Sequence, residues 1–303
     1  MAKNNIIKNI LKRALYPNHL YKVLKLQRNK KRGHRHENDA QLKLYGKVLK
    51  GDFLHYGYYD NPNTLPEDIS LNIFYTAQKR YAEKLVELIT DKTNLILDVG
   101  CGMGGLLKLM NESELRAIGL TPDINQINHI KQTYPNDVLH CKFEDIDSDN
   151  YIAQFGTVIT SESLQYLDLK TALPIIDKIM KPGGKWIACD YFRLGQAHEK
   201  SGHDWESFNT LLAEHGFKMT LEENITPHIL PTIAYIYMWA TQIGLPVKDF
   251  IVDKIQVKNP GLYYMIEKSL PEIDGKLEKN INIINPSLFA QEKKYVLMGI
   301  ERI

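Results

Sequence analysis

Cysteine is scarce: Cys101, Cys141 and Cys189 are the only three in 303 residues. Three scattered thiols build neither a disulfide framework nor a zinc site, and an odd count suits a reducing, cytoplasmic compartment. No metal centre is expected. No run of about 18 apolar residues occurs, which speaks against a transmembrane helix. The N-terminal stretch lacks an apolar core with a small-residue cleavage site, so it does not read as a secretory signal, and no serine precedes Ser70, unlike the Ser-rich organellar presequences. Internal repeats and low-complexity tracts are absent. What is left, at 44% hydrophobic residues, is enough chain to bury the core of one large α/β domain with an accessory lid.

Acidic residues are missing from the first 36 positions, which carry eleven cations, among them Lys3, Lys8, Lys12, Arg13, Lys22 and Lys25. The net charge of +2 therefore hides a basic arm and an acidic remainder. Ile6, Ile7, Ile10, Leu11 and Leu15 fall on one helical face with lysines opposite. Pro17 interrupts, and a second short helix is expected from His19 to near Asn29. Three readings of this arm stand side by side. It packs on the acidic body as a lid, it meets an anionic membrane surface at about 1 kcal/mol per cation, or it binds RNA.

The densest signal is Leu95-Ile96-Leu97-Asp98-Val99-Gly100-Cys101-Gly102-Met103-Gly104-Gly105. It reads as a buried strand turning into a glycine loop, then a helix from Gly105. Glycine admits positive φ and lets a ligand approach the backbone with no Cβ in the way. The acid at the strand end can accept hydrogen bonds from a ligand's amine or hydroxyls. Gly100, Gly102 and Gly105 also fit the dinucleotide pattern G-x-G-x-x-G. That fingerprint wants an acid closing the second strand about 20 residues on. Here the second strand, Arg116 to Leu120, runs into Thr121-Pro122-Asp123, which counts against a nicotinamide site. A purely structural turn is the remaining alternative.

The pattern D-x-G-x-G-x-G over Asp98–Gly104 resembles motif I of the class I S-adenosylmethionine methyltransferases, whose loop wraps the methionine part of the cofactor. Further segments follow in the order of that family. Gly119-Leu120-Thr121-Pro122-Asp123 with nearby Gln126 resembles the branch holding cyclopropane-fatty-acid synthases and sterol and tocopherol C-methyltransferases, where a hydroxyl or amide often replaces the ribose-binding acid. Val138 to Phe143 reads as a third strand, with Phe143 and Glu144 where relatives contact adenine. Gly156 to Ser161 reads as the fourth, followed by Glu162 and Tyr166 on the acceptor side. A helix over Asp168–Met180 and the turn Lys181-Pro182-Gly183-Gly184 lead to a fifth strand, Lys185 to Phe192. Upstream, His55-Tyr56-Gly57-Tyr58 resembles the cofactor-covering segment of the same branch, with Tyr56 facing the cofactor. A core helix from Ser70 to Thr90 follows it.

The resemblance implies a seven-stranded Rossmann-like sheet with helices on both faces, an N-terminal helical arm and a helical cap inserted between strands six and seven. It implies S-adenosylmethionine as cofactor, with S-adenosylhomocysteine as product. The implied cofactor residues are Tyr56, Asp98, Gly100, Gly102, Gly104, Thr121, Gln126, Phe143, Glu144 and Ser161.

Strands six and seven are expected at Phe217–Thr226 and Lys294–Glu301, separated by roughly 65 residues, far more than a hairpin connection needs. Within that insertion Ile233 to Ala240 is apolar on nearly every face, so it should be buried or cover a greasy cavity. This favours a small hydrophobic or amphiphilic acceptor. The expected organisation is a basic arm at 1–36, the core at 37–226, a substrate cap at 227–290 and the last strand at 291–303. His228 could serve as base or simply cap a helix; Glu162 and Tyr166 complete the catalytic candidates, with Tyr191 and Arg193 lining the pocket. Carbon methylation of an unsaturated lipid, RNA methylation and non-catalytic cofactor binding are the alternatives. The second of these lacks the Asn/Asp-Pro-Pro-Tyr/Phe signature of amino-directed nucleic-acid enzymes after strand four. The oligomeric state is left open.

Overall fold

The computed structural model describes residues 51–197 and 200–303, with 16–19, 21, 22 and 25. The rest of the basic arm lies outside the described residues. The chain divides into two compact units, one of residues 49–244 with 277–303 and one of 245–276 with 1–48.

The larger unit is built on β1 (Leu95–Val99), buried from Ile96 onward because parallel neighbours flank it on both sides. These are β2 (Ala117–Leu120) and β4 (Phe155–Ser161). Outside them lie β3 (Val138–Leu139) and β5 (Met180–Arg193), then β8 (Lys293–Arg302) and β7 (Phe217–Asn224), giving the order β3-β2-β1-β4-β5-β8-β7. Strand β8 alone runs against the direction of the others, antiparallel to β5 and β7. A two-residue β6 (His203–Asp204) pairs with β5 and brings the sheet to eight strands, one more than the sequence suggests. The third strand ends at Leu139, short of Phe143. That side chain is buried in a 3-10 turn, Phe143–Asp145, so the chain leaves the ladder to deliver it to the core.

Alternation along the strands sorts side chains onto two faces. Ile96, Ile159, Cys189, Tyr295 and Leu297 enter one apolar layer with α1 (Leu71–Glu87), α2 (Gly105–Glu112) and α6 (Thr226–Trp239). Leu97, Val158, Trp186 and Val296 enter the other with α4 (Leu169–Ile179) and α5 (Trp205–Glu214). Helix α1 starts where the Ser70 hydroxyl accepts the Ile73 N–H, and buries Phe74, Ala77, Gln78, Tyr81, Ala82 and Leu85 at helical spacing. Asp123 caps α3 (Ile124–Thr133) in the same way, taking the N–H groups of Asn125 and Gln126.

From β1 the chain steps outward to β2 and β3, then returns across β1 to β4. The carboxyl ends of β1 and β4 thus flank the topological switch point, where open α/β sheets bind ligands. The connection from β7 to β8 is helical. Helix α6 buries Ile229, Ile233 and Tyr235, but its last turn leaves the core and Trp239 is 47% exposed, so the expected burial of 233–240 holds only for its first half. Beyond it, α7 (Leu245–Lys258), α8 (Pro260–Ile266) and α9 (Leu270–Ile283) bury no residue, before α10 (Pro286–Glu292) buries Phe289. In the smaller unit Lys248 ties Asp249 (2.8 Å) to Asp274 (2.6 Å). Among the described residues no helix is long and apolar enough to cross a membrane.

Candidate active site

The glycine loop has the geometry its sequence asks for. Gly100, Gly102 and Gly104 take φ of 79°, 54° and 90°, the left-handed region that glycine enters without penalty. The Gly100 N–H donates to the Leu120 carbonyl (2.8 Å) and the Gly104 N–H to that of Cys101 (3.0 Å). At the strand end Asp98 is 2% exposed. Its Oδ2 is buried with no hydrogen-bond partner among the described residues, and burial pushes the carboxyl up to about 7.

A strap over residues 51–60 is fastened from several directions. Asp52 accepts from the Tyr134 hydroxyl and meets His129 Nε2 (3.0 Å) on α3. The buried Gln78 amide on α1 donates to the carbonyls of Phe53 (3.3 Å) and His55 (2.7 Å). Thr232 Oγ1 on α6 accepts the Gly57 N–H (3.0 Å), and Tyr59 N–H donates to the His228 carbonyl (3.0 Å). The His228 ring stacks on Tyr58 at 4.5 Å, and its Nδ1 lies 2.7 Å from the Tyr59 carbonyl. The candidate base is therefore a fastener of the strap to α6. His55 Nδ1 sits 2.7 Å from the Tyr56 carbonyl, which makes it the donor and leaves Nε2 a buried acceptor without a partner among the described residues. Its ring stacks on Tyr81, and burial holds its pKa down at about 4.

Thr232→Val tests this fastening. It removes the acceptor from a buried Gly57 N–H and should cost about 1–2 kcal/mol, read by urea unfolding; an unchanged midpoint would mean that the bond contributes nothing.

At the end of β2, Thr121 is 2% exposed. Its hydroxyl donates to Gln126 Oε1 and accepts the Asp123 N–H (3.2 Å). The two residues expected in place of a ribose-binding acid are thus bonded to each other. Phe143 is buried, while Glu144 Oε1 accepts the Asp168 N–H (3.0 Å) at the start of α4.

Past β4, Glu162 adopts a φ of 50°, unusual for a residue with a Cβ and a conformation held only where the surroundings over-determine it. Its N–H donates to the Cys189 carbonyl (2.9 Å). Its Oε1 accepts both the Tyr56 N–H (2.9 Å) and the Tyr295 hydroxyl (2.6 Å). Tyr295 lies 3.1 Å from the Tyr81 hydroxyl, to which Ser161 Oγ donates at 3.3 Å. Burial raises the Glu162 carboxyl to about 7 against these donors.

Tyr166, by contrast, is 77% exposed. The Tyr191 hydroxyl donates to Gln165 Oε1, and Arg193 Nε to the Gly202 carbonyl (2.9 Å). Asp190 is buried and raised to about 8, accepting the N–H groups of Gln165 (3.0 Å) and Tyr191 (2.8 Å). Sequence reasoning missed Tyr81, Tyr295 and Thr232, since each reaches the site from a different distant element. His55 lay inside a motif that was recognised, but nothing local marks its burial.

Residues 97–186, the stretch from β1 into β5, match the methyltransferase domain family. No curated protein matches the chain. Among solved structures, geranyl diphosphate C-methyltransferase from Streptomyces coelicolor A3(2), in complex with S-adenosylhomocysteine, is similar at 16% identity and a TM-score of 0.59, over 82% of this chain and 89% of that one. The O-methyltransferase segment of StiE is similar at 17% identity and 0.58, over 84% and 89%. The 4+2 cyclase SpnF is similar at 15% and 0.60, over 86% and 90%.

Residues 97–186 thus carry a methyltransferase domain, and the chain has the fold of methyltransferases whose structures hold S-adenosylmethionine or its product. Its own residues fit that cofactor. The loop offers left-handed glycines, and Asp98 Oδ2 and His55 Nε2 are buried acceptors awaiting N–H donors of the kind an amino-acid ammonium carries.

Proposed function

We propose that the protein transfers the methyl group of S-adenosylmethionine to a small lipophilic or amphiphilic acceptor, with Glu162 as the acceptor-side acid or base. When bound, the cofactor supplies a methyl group on a positively charged sulfur, open to in-line attack. The chain's residues do the rest. Asp98 accepts from the cofactor's ammonium, and Gly100, Gly102 and Gly104 let the loop close around it. Thr121 and Gln126 present a hydroxyl and an amide to the ribose, with Phe143 and Glu144 beside the adenine. Tyr56 and the strap exclude water, while Ser161 leads into the Tyr81 network.

The observation that carries the acceptor-side assignment is Glu162 itself. Both donors fall on Oε1, so Oε2 is left to address an acceptor, and a carboxyl near 7 can exchange a proton at neutral pH. Tyr166 and His228 are less suited. One is exposed, and the other uses its ring to hold the strap. The apolar residues of α6 support a lipophilic acceptor, and the basic arm supports a peripheral contact with anionic lipid.

The test is transfer of labelled methyl from S-adenosylmethionine across a panel of small amines, alcohols, phenols and unsaturated lipids, with Glu162→Gln alongside. Label in an amphiphile from the wild type and a clear drop in the variant support the reading. Full transfer by Glu162→Gln removes Glu162 from it. Deletion of residues 1–36 separates the roles of the arm: loss of cofactor affinity marks a lid, and loss of vesicle binding alone marks a membrane contact.

A further inference from the structure

We infer that Tyr295, on the last strand, is a positioning residue that spends one oxygen of Glu162 and so presents the other to the acceptor. The inference rests on Glu162 being the acceptor-side group of the preceding section. Three elements far apart in sequence fix that side chain. Strand β5 holds its backbone through the Cys189 carbonyl, the strap donates the Tyr56 N–H, and β8 donates the Tyr295 hydroxyl at 2.6 Å. The last is the shortest of the three and the only one made by a side chain.

Tyr295 is itself fully buried and cannot swing away. Its ring stands edge-on to Tyr56 (6.1 Å) and Tyr81 (6.2 Å) and is tilted against Tyr191 (6.4 Å), its cross-strand partner on β5. The hydroxyl hydrogen goes to Glu162, because an ionised carboxylate only accepts. Ser161 Oγ donates to the Tyr81 hydroxyl, and Tyr81 can donate onward to Tyr295. Its other acceptor is the Cys189 carbonyl at 3.3 Å, the group that anchors the Glu162 backbone. With its oxygen able to accept from Tyr81, Tyr295 gives its own hydrogen to Glu162. A donor from a buried phenol stabilises the carboxylate form over the acid.

The arrangement is also selective. A carboxylate with both oxygens free would pivot between partners, and one with a donor on each would leave a lone pair on both and no preferred oxygen. Here two donors converge on Oε1 and orient the plane of the group, which limits its exchange to Oε2. A phenylalanine at position 295 would keep the packing and release the pivot. The side chains that face Glu162 electrostatically are Tyr295 from β8, Tyr81 from α1, and Cys189, Asp190 and Tyr191 from β5. None of these brings a positive charge, so the phenol is the group whose removal the carboxyl should feel most.

The experiment is a 13C NMR titration of side-chain-labelled glutamate in the full chain, with Glu162→Gln assigning the Glu162 signal. Tyr295→Phe should raise the Glu162 midpoint by about one pH unit or more, and Tyr81→Phe should raise it by less. S-adenosylhomocysteine affinity, measured by calorimetry on the same samples, should stay within about threefold of the wild type. A role in packing alone would leave the titration in place. An unmoved midpoint in Tyr295→Phe, with S-adenosylhomocysteine still bound, overturns the inference and leaves the methyltransferase site intact. Failure of the folded wild type to bind S-adenosylhomocysteine overturns the reading of the site and this inference with it.

Discussion

Gly102→Val should abolish S-adenosylhomocysteine binding while leaving a folded protein. The position has a φ of 54°, and the nearest atom to an added Cβ is Leu54 Cδ1 at 3.4 Å, an ordinary contact with the tip of a strap residue. The cost to the fold is therefore mainly the left-handed backbone, about 1–2 kcal/mol for a residue with a Cβ. The cost to binding is larger, because an isopropyl group would stand where the loop must approach its ligand. A loss of about a hundredfold or more, roughly 2.7 kcal/mol, is expected by calorimetry. Gly100→Ala makes the contrast. Its Cβ would lie 2.4 Å from Ser163 Cβ, and Ser163 is buried and bonded to the Val99 carbonyl, so it cannot yield. That variant should lose binding and also about 3 kcal/mol or more of stability. If Gly102→Val binds S-adenosylhomocysteine normally, the loop is not the cofactor cradle.

Those two glycines also show what the sequence could and could not convey. Their spacing after a buried strand is local information, and so are the cap residues Ser70 and Asp123 and the burial of β1. The succession of strands along the chain followed from the resemblance, while their order in the sheet, with β8 antiparallel between β5 and β7, is seen in the structure. The acceptor side was legible only in part. Glu162 stands next to its strand in sequence, but its left-handed backbone and its bond to Tyr295 are products of a contact between residues 133 positions apart. The strap is similar. His55-Tyr56-Gly57-Tyr58 was recognisable as a covering segment, whereas its fastening by Thr232 and His228 depends on where α6 lands. Periodicity conveyed only part of the insertion. Apolar residues on every face of 233–240 implied burial or a cover over an apolar cavity, and the structure buries Ile233 and Tyr235 but leaves Trp239 half exposed.

Affinity for S-adenosylhomocysteine should climb with pH between 5 and 7.5, by up to about tenfold per unit, and then level off. The cause is Asp98. In the free protein burial holds its carboxyl near 7, so at pH 5 it carries a proton and offers an incoming ammonium no charge. A raised carboxyl contributes stability that is complete below the ordinary carboxylate range and is lost as pH rises through the folded value. Asp190, near 8, and Glu162, near 7, act in the same direction, so the free protein should lose about 2–3 kcal/mol of stability between pH 6.5 and 8. His55 works the other way. Held down near 4, it contributes fully above 6.5 and loses that contribution as pH falls, so it does not oppose the alkaline loss. A bound ammonium should reverse the penalty at Asp98, because pairing favours the carboxylate. Saturating S-adenosylhomocysteine is thus expected to flatten the alkaline decline in Tm in part, leaving the shares due to Asp190 and Glu162. Asp98→Asn separates this from every other group. It should bind weakly with no slope across the same range, whereas Glu162→Gln should keep the wild-type slope although its carboxyl also titrates near 7. A flat profile in the wild type would show that Asp98 does not exchange its proton for the ligand's ammonium, and a slope retained in Asp98→Asn would assign the titration to a different group.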